Sequence, residues 1–169
     1  VIHTGATPVL VDVLPDTYNL DPVQAERAVS PRTRALLPVH LYGLPADMDP
    51  LMEIAAQHGL LVVEDAAIAL GGHYKGRPVG SIGDAGCVSF APRKMLGAYG
   101  DGGLVTTDDP KLADRVRLWA GYGEQRHYRQ VGLGALLEPR DHEVPGYHSH
   151  LVTLQAAILD VKLKYLDQY

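Results

Sequence analysis

The fold is decided by residues 34–65, which read RALLPVHLYGLPADMDPLMEIAAQHGLLVVED. Two apolar runs lie at the ends of this stretch, from Arg34 to His40 and from Leu60 to Asp65. Between them, Asp49-Pro50 is typical of a helix start, because Asp caps free N–H groups and Pro fits the first helical position. Gly59 is a typical helix stop. The stretch therefore predicts a strand, a helix and a second strand, which is the repeating unit of a parallel sheet.

The same alternation continues on both sides of this unit. Further strands are predicted at Pro8 to Val13, Ala85 to Phe90 and Gly103 to Thr107, and further helices after Asp21-Pro22 and Asp109-Pro110. Because the strands are continuous apolar runs, we expect an α/β fold with a mainly parallel sheet and helices on both faces. The strand at Gly103 follows its predecessor after a short loop and can be antiparallel. Residues 76–80 and 121–145 are expected to be loops, the second with a hairpin.

The last part of the chain carries a helical pattern. Residues 1–150 are expected to form one unit, and residues 151–169 a helix that leads out of it. Apolar side chains recur at helical spacing in this segment and predict its buried face, which would consist of Leu151, Leu154, Ile158, Val161 and Tyr165.

Composition excludes several classes of protein. The chain has 169 residues, 46% of them hydrophobic and 21% charged, with a formal net charge of -5, which suits one globular domain. There is no basic stripe, so nucleic-acid binding is not expected. No apolar run approaches the ~20 residues that span a membrane, and no signal peptide is recognisable, so the expected location is the cytoplasm. The single cysteine, Cys87, excludes an internal disulfide and is expected to be buried.

Polar side chains follow the ends of three predicted strands. His40, Asp65 and the segment Phe90 to Lys94 each come directly after such an end, where open α/β sheets bind their ligands. A lysine can form a Schiff base with a carbonyl cofactor. A carboxylate can keep a pyridine nitrogen protonated and make the ring an electron sink. Lys94 and Asp65 together therefore suggest pyridoxal 5'-phosphate (PLP).

Each of these residues also has an ordinary structural interpretation. Lys94 can be a solvated lysine, Asp65 a cap for the turn that follows it, and Ser89 a small core residue. His40 can be a core histidine satisfied by backbone groups, and Gly100 to Gly103 a plain turn.

Four histidines near the end of the chain raise the question of a metal: His127, His142, His148 and His150. His148 and His150 could present two imidazoles on one side of an extended segment. No Cys or Glu lies at a convincing ligand spacing, so no metal site is expected.

Seven short segments along the chain carry a recognisable pattern. They are GATPV (5–9), PVHLYG (38–43), VEDAA (63–67), GSIGD (80–84), SFAPRK (89–94), GAYGDGG (97–103) and LQAAIL (154–159). Together they resemble the DegT/StrS-type sugar aminotransferases, which are PLP enzymes of fold type I. The resemblance covers essentially the whole chain. It implies that the chain is the central part of the large domain. An N-terminal phosphate-binding part and a C-terminal small domain would lie outside it.

The resemblance implies roles for four residues. Lys94 would bind the cofactor covalently and carry the proton between substrate and cofactor. Asp65 would be the partner of the pyridine nitrogen, and Ser89 would bind the phosphate. His148 stands in the segment from which family members contribute an asparagine to the phosphate of the neighbouring subunit, so a homodimer is implied.

Three positions depart from the family pattern. His148 stands in place of the usual Asn, His150 in place of a common Arg, and Ile68 in place of a Gln or His near the cofactor ring. An imidazole can still donate to a phosphate, whereas Ile68 cannot form a hydrogen bond.

The function implied is transfer of an amino group from glutamate or glutamine to a keto sugar, either a nucleotide-linked ketosugar or a ketocyclitol. Two alternatives remain open. A PLP-type sugar dehydratase is disfavoured, because such relatives carry histidine in place of the lysine at position 94. A non-catalytic sensor or assembly partner is suggested by Ile68, His148 and His150.

Overall fold

A computed structural model of the chain describes residues 1–124 and 142–168. Its strands are β1 (Ala35–Leu36), β2 (Leu61–Asp65), β3 (His73–Tyr74), β4 (Arg77–Pro78), β5 (Ala85–Ser89) and β6 (Gly103–Thr106). The main sheet has the order β1-β2-β5-β6, and β3 and β4 form a separate hairpin. β1, β2 and β5 are parallel, and β6 is antiparallel to β5. The expected α/β class with a mainly parallel sheet is therefore confirmed.

Register fixes which side chains share a face of the sheet. Val63 pairs with Ala85 and Asp65 with Cys87, and an isolated bridge between Val39 and Asp65 extends the pairing of β1 beyond its two residues. Since side chains alternate along a strand, Asp65 and Cys87 point to one face, and Glu64 points to the other.

The described residues include the helices α1 (Pro22–Ala28), α2 (Met48–His58), α3 (Pro110–Ala120) and α4 (Thr153–Leu163). Short 3-10 turns occupy Ile2–Thr4, Leu41–Gly43 and Leu166–Gln168. Two of the predicted caps are present, because Asp21 accepts from the Val23 N–H and Asp109 from the Lys111 N–H, both at 2.8 Å.

The start of α2 was predicted slightly too late. The helix begins at Met48 after Asp47, not at Pro50. The Asp47 carboxylate accepts from the Tyr74 hydroxyl and makes no capping bond. The helix ends as predicted at Gly59, which has a φ of 62°.

The apolar core has two parts. The first joins α1 and α2 to β1 and β2, and the second lies around β5, the loop that follows it and α4. The buried members of the first include Ala25, Leu36, Met48, Leu51, Ile54 and Val62, and those of the second include Ala66, Val88, Phe90, Leu96, Ala98 and Leu159.

Three other expectations were wrong, those for Pro8 to Val13, for residues 76–80 and for Cys87. Pro8 to Val13 is not a strand, since its only pairing in the described part of the chain is a bridge from Val13 to Leu20. The loop expected at residues 76–80 is partly the β3–β4 hairpin. Cys87 is exposed, because it lies on the open face of β5. The hairpin expected within residues 121–145 falls mostly outside the described residues.

The contact face of α4 also differs from the prediction. Leu154 is 67% and Val161 57% exposed, while Leu159 is 7% exposed. The helix itself ends at Leu163, before the 3-10 turn. Across residues 1–124 and 142–168, helices are too short or too polar to cross a bilayer.

Candidate active site

Asp65 ends β2 on the open face of the sheet. Its side chain is half-buried, and Oδ1 accepts from the Ala67 N–H at 3.0 Å. The Asp65 N–H donates to the Pro38 carbonyl at 2.9 Å, and the Asp65 carbonyl accepts from the His40 N–H at 3.0 Å. The carboxylate is therefore anchored through its own backbone, while Oδ2 has no hydrogen-bond partner within residues 1–124 and 142–168.

Two side chains of β5 share this face. Cys87 lies beside Asp65 in register, and Ser89 lies two residues further along. Although Cys87 is exposed, the chain around the thiol removes part of its hydration and raises its pKa, and the nearby Asp65 carboxylate raises it further. The thiol therefore stays protonated at neutral pH, and Asp65 supplies the negative charge of this face.

The loop that contains Lys94 returns to the end of β5 and is hydrogen-bonded to it. The Ala98 N–H donates to the Phe90 carbonyl at 2.8 Å, and the Lys94 N–H donates to the Ala91 carbonyl at 2.9 Å. The Ser89 Oγ accepts from the Ala91 N–H at 3.2 Å, which leaves its own O–H able to donate. Lys94 is half-buried in this loop, and its Nζ has no acidic partner in the described part of the chain.

α4 holds this loop from the other side. The Gln155 Oε1 accepts from the Tyr99 N–H at 2.8 Å, and the Lys162 Nζ donates to the Gly97 carbonyl. Leu159 packs in the same core cluster as Leu96 and Ala98. The loop therefore depends on two polar groups and one apolar side chain of α4.

The segments that follow three strands meet at a cavity of about 410 Å³. Tyr42 follows β1, Ile68 follows β2, and Met95 is the neighbour of Lys94 after β5. The full lining consists of Tyr42, Gly43, Ile68, Ala69, Leu70, Gly71, Gly72, Met95 and Leu166. The cavity thus lies beside the Lys94 loop and the segment after Asp65, but Asp65, Ser89 and Lys94 themselves are not among its lining residues.

His40 does not face this cavity. Its side chain is completely buried, and Nε2 lies 2.9 Å from Oε2 of Glu64. The alternative of a core histidine is therefore correct for His40, although its partner is a carboxylate in addition to the backbone.

Glu64 is the residue that the sequence analysis missed. It is completely buried, and its carboxylate accepts from the amides of Gly80, Ile82 and Gly83 at 2.6–2.7 Å as well as from His40. Burial alone would raise the pKa of Glu64, but these hydrogen bonds outweigh it and hold the pKa below its ordinary value of 4.5. The side chain is therefore ionised at neutral pH.

A signal for Glu64 was present in the sequence. It stands next to Asp65 in an apolar strand, and alternation places the two carboxylates on opposite faces. A carboxylate on the buried face requires several donors. The GSIGD segment supplies them, because its backbone turns towards β2. Gly83 is required there, since a Cβ would lie 2.6 Å from the Val62 carbonyl oxygen.

His148 lies apart from the other predicted site residues. It forms a bridge with Gly121, and its ring stacks on Tyr122 with the ring centroids 5.0 Å apart. His150 lies beside it at 5.5 Å. Within the described residues, no hydrogen bond or ring contact joins His148 to Asp65, Ser89 or Lys94.

The residues present fit the chemistry of PLP. Within the described part of the chain, Asp65 offers a half-buried carboxylate oxygen without a hydrogen-bond partner for a pyridinium N–H, and Ser89 offers a hydroxyl donor for a phosphate. Among the same residues, Lys94 offers an amine without an ion-pair partner for an aldehyde carbon. In contrast, the described part of the chain has no group of three or more His, Cys, Asp or Glu side chains that could hold a metal ion.

Comparison with solved structures defines the class of protein. The structure of DesV from Streptomyces venezuelae, described as a complex with a ketimine intermediate, superposes with a TM-score of 0.88 at 48% identity. The match covers 99% of this chain and 42% of DesV. The fold is therefore that of the fold type I, PLP-dependent aminotransferases.

Sequence comparison then gives the family. The chain belongs to the DegT/DnrJ/EryC1/StrS aminotransferase family, which it matches over residues 1–169. It is 49% identical to dTDP-3-amino-3,4,6-trideoxy-alpha-D-glucose transaminase of Streptomyces venezuelae over 98% of this chain and 41% of that protein. It is 46% identical to the pleiotropic regulatory protein of Geobacillus stearothermophilus over 100% of this chain and 42% of that protein. The chain thus spans about two fifths of the length of these curated relatives.

Proposed function

We propose that the protein is a PLP-dependent aminotransferase that transfers an amino group from glutamate or glutamine to the ketone of a nucleotide-linked ketosugar or a ketocyclitol. The observation that carries this proposal is the placement of Asp65 and the Lys94 loop at the carboxyl ends of the neighbouring strands β2 and β5. The Streptomyces relative, a transaminase whose name contains a dTDP-linked amino sugar, supports the substrate class.

Each site residue has a distinct task in this reaction. When bound, PLP supplies an electron sink for the charge that develops on the carbon next to the transferred nitrogen. Asp65 keeps the proton on the pyridine nitrogen, and Lys94 binds the aldehyde carbon in the resting enzyme. Once released, the Lys94 amine would carry the proton from the donor's carbon to the former aldehyde carbon of PLP, and in the reverse direction to the carbon of the keto sugar, as a general base and acid. Ser89 donates to the phosphate.

Two further parts of the proposal concern the assembly and its location. We place His148 at the phosphate of a second copy of the chain, so that the enzyme is a homodimer. The resemblance of residues 146–148 to the segment with which family members reach the neighbouring subunit supports this arrangement; among the described residues, His148 contacts Tyr122 and His150. We place the enzyme in the cytoplasm, where amino-acid donors and nucleotide sugars are available.

Borohydride trapping tests the proposal directly. The complete protein is mixed with PLP, reduced with borohydride, digested and mapped by mass spectrometry, and we expect the pyridoxyl group on Lys94. Lys94→Ala should lose both the label and the transfer of nitrogen to a keto sugar. Lys111→Ala, which changes an exposed lysine on α3, should keep both. Label on another lysine in the wild-type protein would refute the assignment.

A second candidate is a regulatory protein without catalytic activity. The name of the Geobacillus relative favours it, as does Ile68, which lines the cavity without any hydrogen-bonding group. The same experiment separates the two candidates, because a protein that has lost the reaction would not turn over keto sugar even where Lys94 is labelled. A sugar dehydratase is disfavoured by the presence of lysine at position 94.

A further inference from the structure

Glu64 and Asp65 are adjacent carboxylates with opposite surroundings. Asp65 lies half-buried on the open face of the sheet, and Glu64 lies on the other face with no exposure to solvent. A buried carboxylate is tolerated only where donors replace water. Glu64 has four of them, from His40, Gly80, Ile82 and Gly83. Their number indicates that this group is held in a single position.

The protonation state of His40 follows from its two partners. The Ala46 N–H can only donate, and it lies 3.0 Å from Nδ1 of His40. Nδ1 must therefore be an acceptor without a proton. The remaining ring proton lies on Nε2 and is donated to Oε2 of Glu64 at 2.9 Å. His40 is thus a neutral imidazole that links the Glu64 carboxylate to the segment after β1.

The same histidine is bonded to Asp65 through its backbone. The His40 N–H donates to the Asp65 carbonyl at 3.0 Å, and two residues earlier the Pro38 carbonyl accepts from the Asp65 N–H at 2.9 Å. The side chain of Glu64, the side chain of His40 and the backbone of Asp65 therefore form a closed hydrogen-bonded ring. This ring links the side chains of Glu64 and His40 to the Asp65 peptide group.

We propose that Glu64 and His40 are positioning residues that fix Asp65 for the pyridine nitrogen of PLP. In this arrangement, backbone amides of the GSIGD segment (residues 80–84) hold the Glu64 carboxylate in place. The inference rests on the proposed function for the role of Asp65. In the proposed arrangement, neither Glu64 nor His40 touches the cofactor. Both act through the backbone of Asp65 from the opposite face of the sheet.

Hydrogen exchange of the complete, cofactor-free protein tests the structural part. In Glu64→Gln, the side-chain NH₂ group must face N–H donors on one side, either His40 and Gly80 or Ile82 and Gly83, so two of the four hydrogen bonds that hold this side chain are lost. We expect exchange of the His40 and Asp65 amides to accelerate by about tenfold or more relative to amides of α3. Glu53→Gln, an exposed change on α2, should leave the rates unchanged. Equal acceleration at all amides would indicate general destabilisation and overturn the proposal.

Two substitutions of His40 separate hydrogen bonding from packing. Glutamine at this position can still donate to Glu64, whereas leucine fills the space without any polar group. We expect His40→Gln to retain PLP affinity better than His40→Leu by about tenfold. In both variants the turnover number should fall more than the KM for the keto sugar changes. If His40→Leu binds PLP as well as His40→Gln does, packing explains the residue and the proposal is wrong.

The outcomes distinguish this inference from the proposed function. Exchange rates are measured without cofactor or substrate, so they report on the ring even where transamination fails. A wild-type protein that does not label Lys94 with PLP would refute the proposed function. Unchanged exchange at His40 and Asp65 in Glu64→Gln would refute the positioning role alone.

Discussion

Asp65 combines two tasks that a single substitution can separate. Its Oδ1 anchors the turn through the Ala67 N–H, and its negative charge is the part that would act on PLP. Asp65→Asn keeps an oxygen for Ala67 but removes the charge. We expect the melting temperature to change little and the rate of ketone amination to fall on the order of 10²–10³-fold. Single-turnover kinetics and thermal unfolding measure the two effects.

The matched control for this substitution is Asp108→Asn, at an exposed position after β6. It should change neither the rate nor the melting temperature. A single-turnover rate in Asp65→Asn within a factor of about three of wild type would show that the charge at this position does not support the chemistry.

At the scale of single residues, polar side chains at the ends of strands can be predicted from the sequence, whereas the partners of buried polar side chains cannot. The positions of Asp65 and Lys94 after β2 and β5 could be predicted because both follow apolar strands, and such positions lie at the ligand-binding edge of an open sheet. Glu64 and His40 were not assigned to each other, because their 2.9 Å contact depends on the alignment of β1 with β2. No local pattern specifies that alignment.

The Lys94 loop has no space for a side chain at Gly97. A Cβ at this position would lie 2.5 Å from the Pro92 carbonyl oxygen, and backbone cannot move aside easily. We expect Gly97→Ala to displace the loop, to lower the free energy of unfolding by about 1–3 kcal/mol and to reduce borohydride labelling of Lys94. Urea denaturation and peptide mapping measure the two quantities.

Gly100→Ala provides the comparison for Gly97→Ala. Its Cβ would lie 3.2 Å from Nε2 of Gln155, so the flexible end of that side chain needs to shift by only a few tenths of an ångström, and the loss of stability and labelling should be smaller. Equal effects of the two substitutions would show that close packing at Gly97 is not what holds the loop.

At the scale of elements, sequence patterns predicted a helix or strand correctly only where the interacting groups are close together in the sequence. Asp21 and Asp109 cap their helices from one residue before the start. α4 was assigned the wrong face because the loop beneath it presents the Tyr99 N–H and the Gly97 carbonyl. Gln155 and Lys162 satisfy these groups. Pro8 to Val13 has strand composition, but composition alone provides no partner strand.

The free energy of unfolding of the whole molecule should depend on pH through the ionisation of Glu64. Its pKa lies below 4.5 in the folded protein and near its ordinary value in the unfolded chain. The ionised form thus stabilises the fold above about pH 4.5, and this contribution is lost as the pH falls through the folded pKa. The stability difference between wild type and Glu64→Gln should therefore shrink below pH 4.5. Urea denaturation between pH 3 and pH 7 measures it, and a difference that stays constant would contradict the ionised assignment.

If each active site of the dimer contains residues of both chains, two inactive variants should restore activity when they are combined in one dimer. In the proposed arrangement, each site uses Lys94 of one chain and His148 of the other. Lys94→Ala and His148→Leu homodimers should therefore both be defective. A heterodimer of the two contains one site with both residues intact, which forms on the chain that keeps Lys94. We expect co-expression, with a different affinity tag on each variant, to yield heterodimers with about half of the wild-type activity.

This mixture discriminates between the two possible positions of His148. If His148 served the site of its own chain, the heterodimer would contain one site without Lys94 and one without His148, and activity would not recover. Pairing Lys94→Ala with an otherwise wild-type chain sets the reference for one working site. Recovery to that level places His148 across the interface. Activity at about half the level of the His148→Leu homodimer would instead assign the imidazole to the site of its own chain, although its ring stacks on Tyr122 at 5.0 Å.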